Sequence, residues 1–323
     1  MTGIRQKMLY SKCCLCPRRC GVDRTAGQSG FCRADAAVRC ARAALHYWEE
    51  PCISAGSDPE VQEIKQGSGA VFFTGCNLGC VFCQNYGISH GIPGGVALGA
   101  ADLADIFFSL KDQHAYNINL VTPDIHIPVL AEAIALAKER GIGLPFIWNS
   151  SAYVTVEALR ILDGLVDVYL PDLKFISERK AARYLRAADY PQAARAAIAE
   201  MVRQAGRCVF DAEGMIQKGV IVRHLLMPGG LLEAKMIVKE LHENYGDRIW
   251  LSLMNQYTPL TEHLQGYPEL QRPVTEREYT ELIEYALDLG ITQAYMQEGG
   301  TAKESFIPAF DGTGVKRRDG DPE

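Results

Sequence analysis

Apolar and polar positions follow two different patterns along this chain, and the pattern changes near residue 69. Downstream of that point short, continuous apolar runs recur: GAVFFTG (69–75), INLVT (118–122), LPFIWN (144–149), VDVYLPD (166–172), GVIVRHLLMPG (219–229) and IWLSLMNQY (249–257), with a candidate seventh at ITQAYMQ (291–297). Between most of them lie stretches with helical spacing, such as ADLADIFFSLKD (101–112), IPVLAEAIALAKERG (127–141), LLEAKMIVKELHENYG (231–246) and TEREYTELIEYALDLG (275–290), the last ending on a glycine suited to a C-cap. Continuous apolar strands alternating with amphipathic helices predict a parallel sheet whose faces are both covered. Six to eight such β/α units could close a full or partial barrel or form a doubly wound sheet, and the pattern alone does not choose.

Upstream the signal is weaker. Residues 1–45 are rich in Cys, Arg and Gly with little periodicity, and a segment with so little apolar content needs a staple to hold its shape. Residues 46–68 carry Pro, Gly and Ser breakers and are expected to connect this segment to the β/α body at 69–310. Residues 311–323 are polar and breaker-rich and are expected to form a disordered tail. The Ala/Arg stretch 181–203 reads as a helix with a solvated basic face.

Composition narrows the function classes. Hydrophobic residues are 48% and charged residues 22% of the 323, ordinary for a globular enzyme, and a formal net charge of −6 gives no electrostatic reason for nucleic-acid binding. No apolar run reaches about 18 residues and the first residues lack an apolar signal core, so no membrane span is expected and the cytoplasm is the expected compartment. Against that reducing background eleven cysteines stand out, seven between Cys13 and Cys52, three between Cys76 and Cys83, and Cys208 alone. An odd, clustered set argues for metal ligation over disulfides, and isolated Cys208 is expected to be a packed, inert thiol.

The segment GCNLGCVFCQN (75–85) directly follows the first apolar run and spells C-x3-C-x2-C. Three thiolates on one loop can hold three irons of a cubane and leave the fourth open, and an open metal position is where chemistry happens. The alternative, a zinc knuckle, favours four closed ligands in paired spacing. Farther upstream Cys13, Cys16, Cys20 and Cys32 form C-x2-C-x3-C-x11-C, four soft ligands that suit tetrahedral zinc or an auxiliary [4Fe–4S] cluster, with Cys14, Cys40 and Cys52 as alternates. If the fold is a barrel, its C-terminal strand ends should carry polar groups. They do: Asn119, Thr122 and Asp124; Asn149, Ser150 and Ser151; Asp172 and Lys174; Arg223 and His224; and Asn255, Gln256 and Tyr257.

The triplet, with aromatic Phe82 before its last cysteine, resembles the signature of the radical S-adenosylmethionine (SAM) superfamily. That resemblance implies a [4Fe–4S] cluster on Cys76, Cys80 and Cys83. SAM would chelate the open iron through its amino and carboxylate groups, with Phe82 near the adenine. It also implies reductive cleavage of SAM to methionine and a 5′-deoxyadenosyl radical that abstracts hydrogen. The wider order is similar to the PflX-like group related to pyruvate formate-lyase activating enzyme: CCLCPRRCGV (13–22), GFC (30–32), His46 with Glu49-Glu50-Pro51, the GCNLGCVFCQN loop, NLVTPD, YLPDLK, RHLLMPG and SLMNQY, spanning about residues 12–298.

The resemblance implies a partial (β/α)6 TIM-like barrel of the radical SAM type behind a small Cys-rich N-terminal segment. Asp172 and Lys174 would contact SAM and Arg223 its carboxylate, whose planar anion suits a bidentate donor. The competing readings are a charge pair at a helix N-terminus for Asp172 and Lys174, and a barrel-rim salt bridge for Arg223. The Gly-Gly-Glu that receives the SAM ammonium in the activases is replaced by NLVTPD, which leaves Asn119 or Thr122 for that contact. Asn149 stands where the activases carry an aspartate, and Asn255-Gln256-Tyr257 where they carry a histidine. His46, Glu49 and Glu50 are read as a solvated linker ahead of polar contacts at the barrel mouth.

The expected activity is a radical SAM oxidoreductase resembling glycyl-radical-enzyme activases. It would be fed one electron by a flavodoxin or ferredoxin and act on a glycyl radical enzyme. The alternatives are a radical SAM enzyme modifying a peptide or small molecule, and a zinc-binding interaction protein with a degenerate barrel.

Overall fold

The chain forms strands β1 (Val38–His46), β2 (Gly67–Phe73), β3 (Val96–Leu98), β4 (Ala115–Val121), β5 (Phe146–Ser150), β6 (Val168–Pro171), β7 (Val209–Phe210), β8 (Ile216–Leu225), β9 (Trp250–Met254) and β10 (Ala294–Met296). In this computed structural model the described residues are 8–55, 66–90, 94–297 and 308–315. The sheet order is β10-β9-β8-β6-β5-β4-β2-β1-β3, with β7 attached to β8. Along that order every neighbouring pair from β2 to β10 is parallel, while β7 runs antiparallel to β8 and β1 antiparallel to both β2 and β3.

This is the parallel sheet that the alternating runs predict, in the partial-barrel form that the family resemblance implies. Both faces of the parallel strands are covered, so β2 is buried along its whole length. Helices α1 (Pro51–Ser54), α2 (Ala100–Asp112), α3 (Ile127–Glu139), α4 (Glu178–Leu185), α5 (Tyr190–Ala205), α6 (Leu231–Tyr245) and α7 (Glu276–Asp288) occupy the crossovers or flank the sheet. Their starts follow capping chemistry. Asp102 accepts the Gly99 N–H at 2.8 Å ahead of α2. Thr275 and Glu278 form a reciprocal capping box on α7, with bonds of 3.2 and 2.9 Å. Among the described residues no helix is long and apolar enough to cross a membrane.

Two sequence expectations meet a different structure. The boundary expected between residues 45 and 46 falls inside β1, and β1 pairs with β2 from Cys40 against Phe73 to His46 against Ser68. The Cys-rich segment and the start of the connector thus extend the same sheet as the β/α body, and α1 buries Cys52, Ile53 and Ser54. The rest of the connector, 56–65, lies outside the described residues. The start of the expected disordered tail is held on β1: the Ala43 N–H donates to the Thr313 carbonyl and the Gly312 N–H to the Ala41 carbonyl, both at 2.9 Å, and Val315 is buried. Backbone pairing with an otherwise open stretch of β1 outweighs the polar composition there. Residues 316–323 lie outside the described residues.

Candidate functional site

The loop that follows β2 is tied down on every side. Gly75 sits at φ +82°, and a Cβ there would lie 2.9 Å from the Cys32 carbonyl oxygen, so only glycine fits. Its N–H donates to the Ile88 carbonyl at 2.8 Å. The N–H groups of Gly79 and Val81 donate to the carbonyls of Leu185 and Tyr184 at 3.0 and 2.9 Å, which fastens the loop to α4. The Asn77 amide donates to the Tyr153 carbonyl at 2.5 Å.

These anchors turn Cys76, Cys80 and Cys83 into one cleft, with a volume of about 1300 Å³ counting space open to solvent. The Leu78 N–H points at the Cys76 sulfur at 3.4 Å, and the Ser89 hydroxyl lies 3.2 Å from the Cys83 sulfur. Burial pushes the Cys80 thiol up to about 12, with Lys174 as the main opposing charge. A thiol buried this way sheds its proton only to a cation that replaces it, which is the chemistry of a metal ligand. The donor set therefore fits an iron–sulfur cluster carried on three thiolates.

The same cleft gathers Phe82 of the loop and most of the strand-end residues singled out in the sequence: Thr122, Asn149, Ser150, Ser151, Asp172, Lys174, Arg223 and Gln256. Phe82 meets Phe175 and Tyr257 edge-on, with ring centroids 6.1 and 6.3 Å apart. Thr122 holds φ +59°, a strained state for a β-branched residue. Lys174 donates to Asp172 at 2.6 Å. Burial would lower the Lys174 pKa, but the Asp172 carboxylate and Cys80 outweigh it and the ammonium is retained. The Tyr190 hydroxyl receives the Lys174 N–H at 3.0 Å and donates to the Asp172 carbonyl at 2.8 Å, which fixes this strand end. Beneath Asn149 and Ser151, Asp124 accepts from Trp148 Nε1 at 2.9 Å and from the Ser150 hydroxyl at 2.8 Å, and burial raises its carboxyl to about 6.

Three expectations are corrected. Asn119 does not line the cleft; its amide donates to Glu49 at 3.1 Å and it is fully buried. Glu49 and Glu50 are not a solvated linker: both carboxylates are nearly inaccessible and both bind Arg223. Arg223 in turn is not a free guanidinium awaiting a carboxylate. Its Nε donates to Glu50 at 2.7 Å and its Nη2 to Glu50 at 2.5 Å and to Glu49, so the rim salt-bridge reading describes it.

Sequence reasoning passed over Trp48 and Gln84 as parts of the cleft wall, while Ser151, singled out at its strand end, does line it. Ser151 carries a buried hydroxyl without a hydrogen-bond partner.

Cys13, Cys16, Cys20 and Cys32 come together elsewhere, around a narrow cavity of about 290 Å³ on the far side of the loop. Cys14 is exposed, and Cys40 and Cys52 are buried away from that cavity. Cys208 is half-buried, with its sulfur 3.4 Å from the Val220 carbonyl.

Comparison with known proteins points the same way as the cleft. The family model for the radical SAM superfamily matches residues 70–241. A protein of Methanocaldococcus jannaschii known as uncharacterized protein MJ0674 is 28% identical over 297 residues, covering 88% of this chain and 78% of that one. Among solved structures, a radical SAM methyltransferase from Sphaerobacter thermophilus superposes with a TM-score of 0.50 at 15% identity, over 72% of this chain and 65% of that one. Streptococcus suis SuiB bound to S-adenosylmethionine gives 0.49 at 16% identity, over 70% of this chain and 49% of SuiB, so the chain spans about half of SuiB's length.

Proposed function

The chain belongs to the radical SAM superfamily, whose members use a [4Fe–4S] cluster, SAM and an electron donor, and from that premise we propose that Cys76, Cys80 and Cys83 hold the cluster and that SAM lies in the cleft beside Phe82, Thr122, Asn149, Asp172 and Lys174. The observation that carries this reading is the convergence of three thiols from one loop with polar groups from four separate strand ends on a single cleft. When bound, the cluster supplies the electron that splits SAM into methionine and a 5′-deoxyadenosyl radical able to abstract a hydrogen atom.

The residues of this chain would then bind and orient. Phe82 offers an aromatic face to the adenine. The Lys174–Asp172 pair presents a fixed ammonium and carboxylate to the polar end of the ligand. Ser151 has a hydroxyl free to bond it, and Thr122, whose N–H is held by the Asn149 carbonyl at 3.0 Å, offers its hydroxyl at the strand end where the activases carry Gly-Gly-Glu. The core packed behind the loop excludes water from one side of the reaction.

For the substrate we favour hydrogen abstraction from a glycyl radical enzyme, with the electron delivered by a flavodoxin or ferredoxin. The motif order from CCLCPRRCGV to SLMNQY supports it. A second reading, modification of another peptide or a small molecule, is favoured by Thr122-Pro123-Asp124 and Asn149 in place of the activase residues. Anaerobically reconstituted protein should release 5′-deoxyadenosine from SAM with dithionite, and Cys80→Ala should abolish the release. Undiminished cleavage in that variant, or zinc without iron in the purified protein, overturns the assignment. A glycyl radical signal in a candidate partner separates the two substrate readings.

A further inference from the structure

Cys13, Cys16, Cys20 and Cys32 share one cavity with Arg18 and Arg24. The backbone makes this possible through a tight turn after Cys16 and a loop whose ends pair at Cys13 and Gly21–Val22. The Arg19 N–H returns to the Cys16 carbonyl and the Gly21 N–H to the Cys13 carbonyl, both at 3.0 Å, with Arg19 at φ +41° and Gly21 at φ +67°. Gly30 leaves room for the Cys20 sulfur, since a Cβ there would stand 2.6 Å from it.

The electrostatics of the cavity are unbalanced without a further group. Arg24 is 1% exposed. Its guanidinium donates to the carbonyls of Asp35 (2.9 and 2.5 Å) and Ile125 (2.6 Å) and lies 4.4 Å over the Tyr10 ring. These partners are uncharged, and the Asp35 carboxylate pairs with Arg39 at 2.9 Å. Arg18 donates to the carbonyls of Asn77 and Arg186 at 2.7 and 2.9 Å and covers the Phe31 ring at 3.4 Å. Burying a guanidinium among neutral acceptors is costly unless an anion lies close by. Four thiolates around a metal centre with a net negative charge supply that anion.

Geometry distinguishes the kind of centre. Tetrahedral zinc requires four sulfurs about 2.3 Å from one point. Among the described residues no three His, Cys, Asp or Glu side chains are gathered tightly enough for a single ion. Cys76, Cys80 and Cys83, the triplet that matches the cubane motif, are likewise not among such groups. A cubane gives each thiolate its own iron and so tolerates sulfurs standing apart around a cavity. We propose that Cys13, Cys16, Cys20 and Cys32 hold a second, fully thiolate-ligated [4Fe–4S] cluster, with buried Arg24 and half-buried Arg18 as its counter-charges. It would sit directly behind the catalytic loop, because Arg18 bonds the Asn77 carbonyl and Gly75 abuts the Cys32 carbonyl.

The test does not depend on SAM chemistry. In the full chain carrying Cys76→Ala, Cys80→Ala and Cys83→Ala, anaerobic reconstitution should leave about four irons and about four sulfides per chain, against about eight of each in the natural sequence. Reduction should give the EPR signal of a one-electron-reduced cubane. An iron-free variant with one zinc, or with all four thiols free to alkylation, overturns the proposal. Should the triple variant fail to fold, Cys16→Ser with Cys32→Ser in the otherwise natural chain decides the matter. Iron falling by about half supports a second cluster, and unchanged iron refutes it. Cys14→Ala, outside the cavity, should change nothing.

Discussion

Replacing Arg223 by methionine separates a structural arginine from a SAM-binding one. Its side chain is 11% exposed and faces Glu49 and Glu50, which are 9% and 6% exposed. Burial pushes the Glu50 carboxyl upward, but the Arg223 charge outweighs it and holds Glu50 below the usual carboxylate range. Arg223→Met leaves two buried carboxylates facing each other without their cation. Removing one partner of a buried ion pair costs about 3–5 kcal/mol. At about 2–4 °C per kcal/mol, the Tm of the apoprotein should fall by on the order of 10 °C. Adding Glu50→Gln should recover part of that loss, because one of the two stranded charges is then gone, with a coupling of about 1–3 kcal/mol. Thermal unfolding of the apoprotein and equilibrium dialysis of SAM against reconstituted protein read the two roles separately. If Arg223→Met lowers Tm by less than about 2 °C yet weakens SAM binding more than about tenfold, the ion-pair reasoning is wrong and the guanidinium serves the ligand.

Three further outcomes follow from the geometry. Ser89→Ala removes the hydroxyl at the Cys83 sulfur; a lost hydrogen bond to a cluster ligand should lower the midpoint potential by up to about 40 mV in a redox titration followed by EPR. Gly75→Ala forces a Cβ against the Cys32 carbonyl at positive φ; it should cost about 2–4 kcal/mol in urea unfolding and reduce iron incorporation. His126 is buried with its pKa lowered to about 3, chiefly by desolvation and then by Arg24. The unfolded chain therefore takes up a proton near the ordinary histidine pKa that the folded chain refuses, and this part of the stability is lost as pH falls below about 6.5. Relative to His126→Gln, the natural protein should lose about 3 kcal/mol between pH 7 and pH 4 in urea titrations, and parallel curves would contradict the assignment.

Much of the architecture was legible because parallel strands buried on both faces read as unbroken apolar runs, as in Ala70–Phe73 and Phe146–Trp148. The loop of Cys76, Cys80 and Cys83 was legible because its three cysteines are close in sequence and follow such a run directly. Strand β1 escaped notice because its alternation includes Arg39 and Arg42, and those charges are matched by Asp35 and Asp311, one of them far along the chain. The Glu49–Glu50–Arg223 cluster was illegible for a similar reason. Its partners are more than 170 positions apart, and a pair of glutamates beside a proline reads as solvated until the barrel brings the arginine over it. Asn119 was misplaced by the same gap, since its partner Glu49 comes from that cluster. The four N-terminal cysteines were visible as a ligand set, but that they share one cavity with a buried arginine was not, because Arg24 is held there by the carbonyls of Asp35 and of Ile125, about a hundred positions along the chain.

EPR of the reduced, anaerobic protein with and without SAM tests the central claim, an iron left open by three thiolates at the mouth of the barrel. In a Cys16→Ser, Cys32→Ser background, where any second cluster is removed, SAM should change the g-values of the remaining cubane by binding at its open iron. A reduced cluster whose spectrum is the same with saturating SAM as without it would contradict the account.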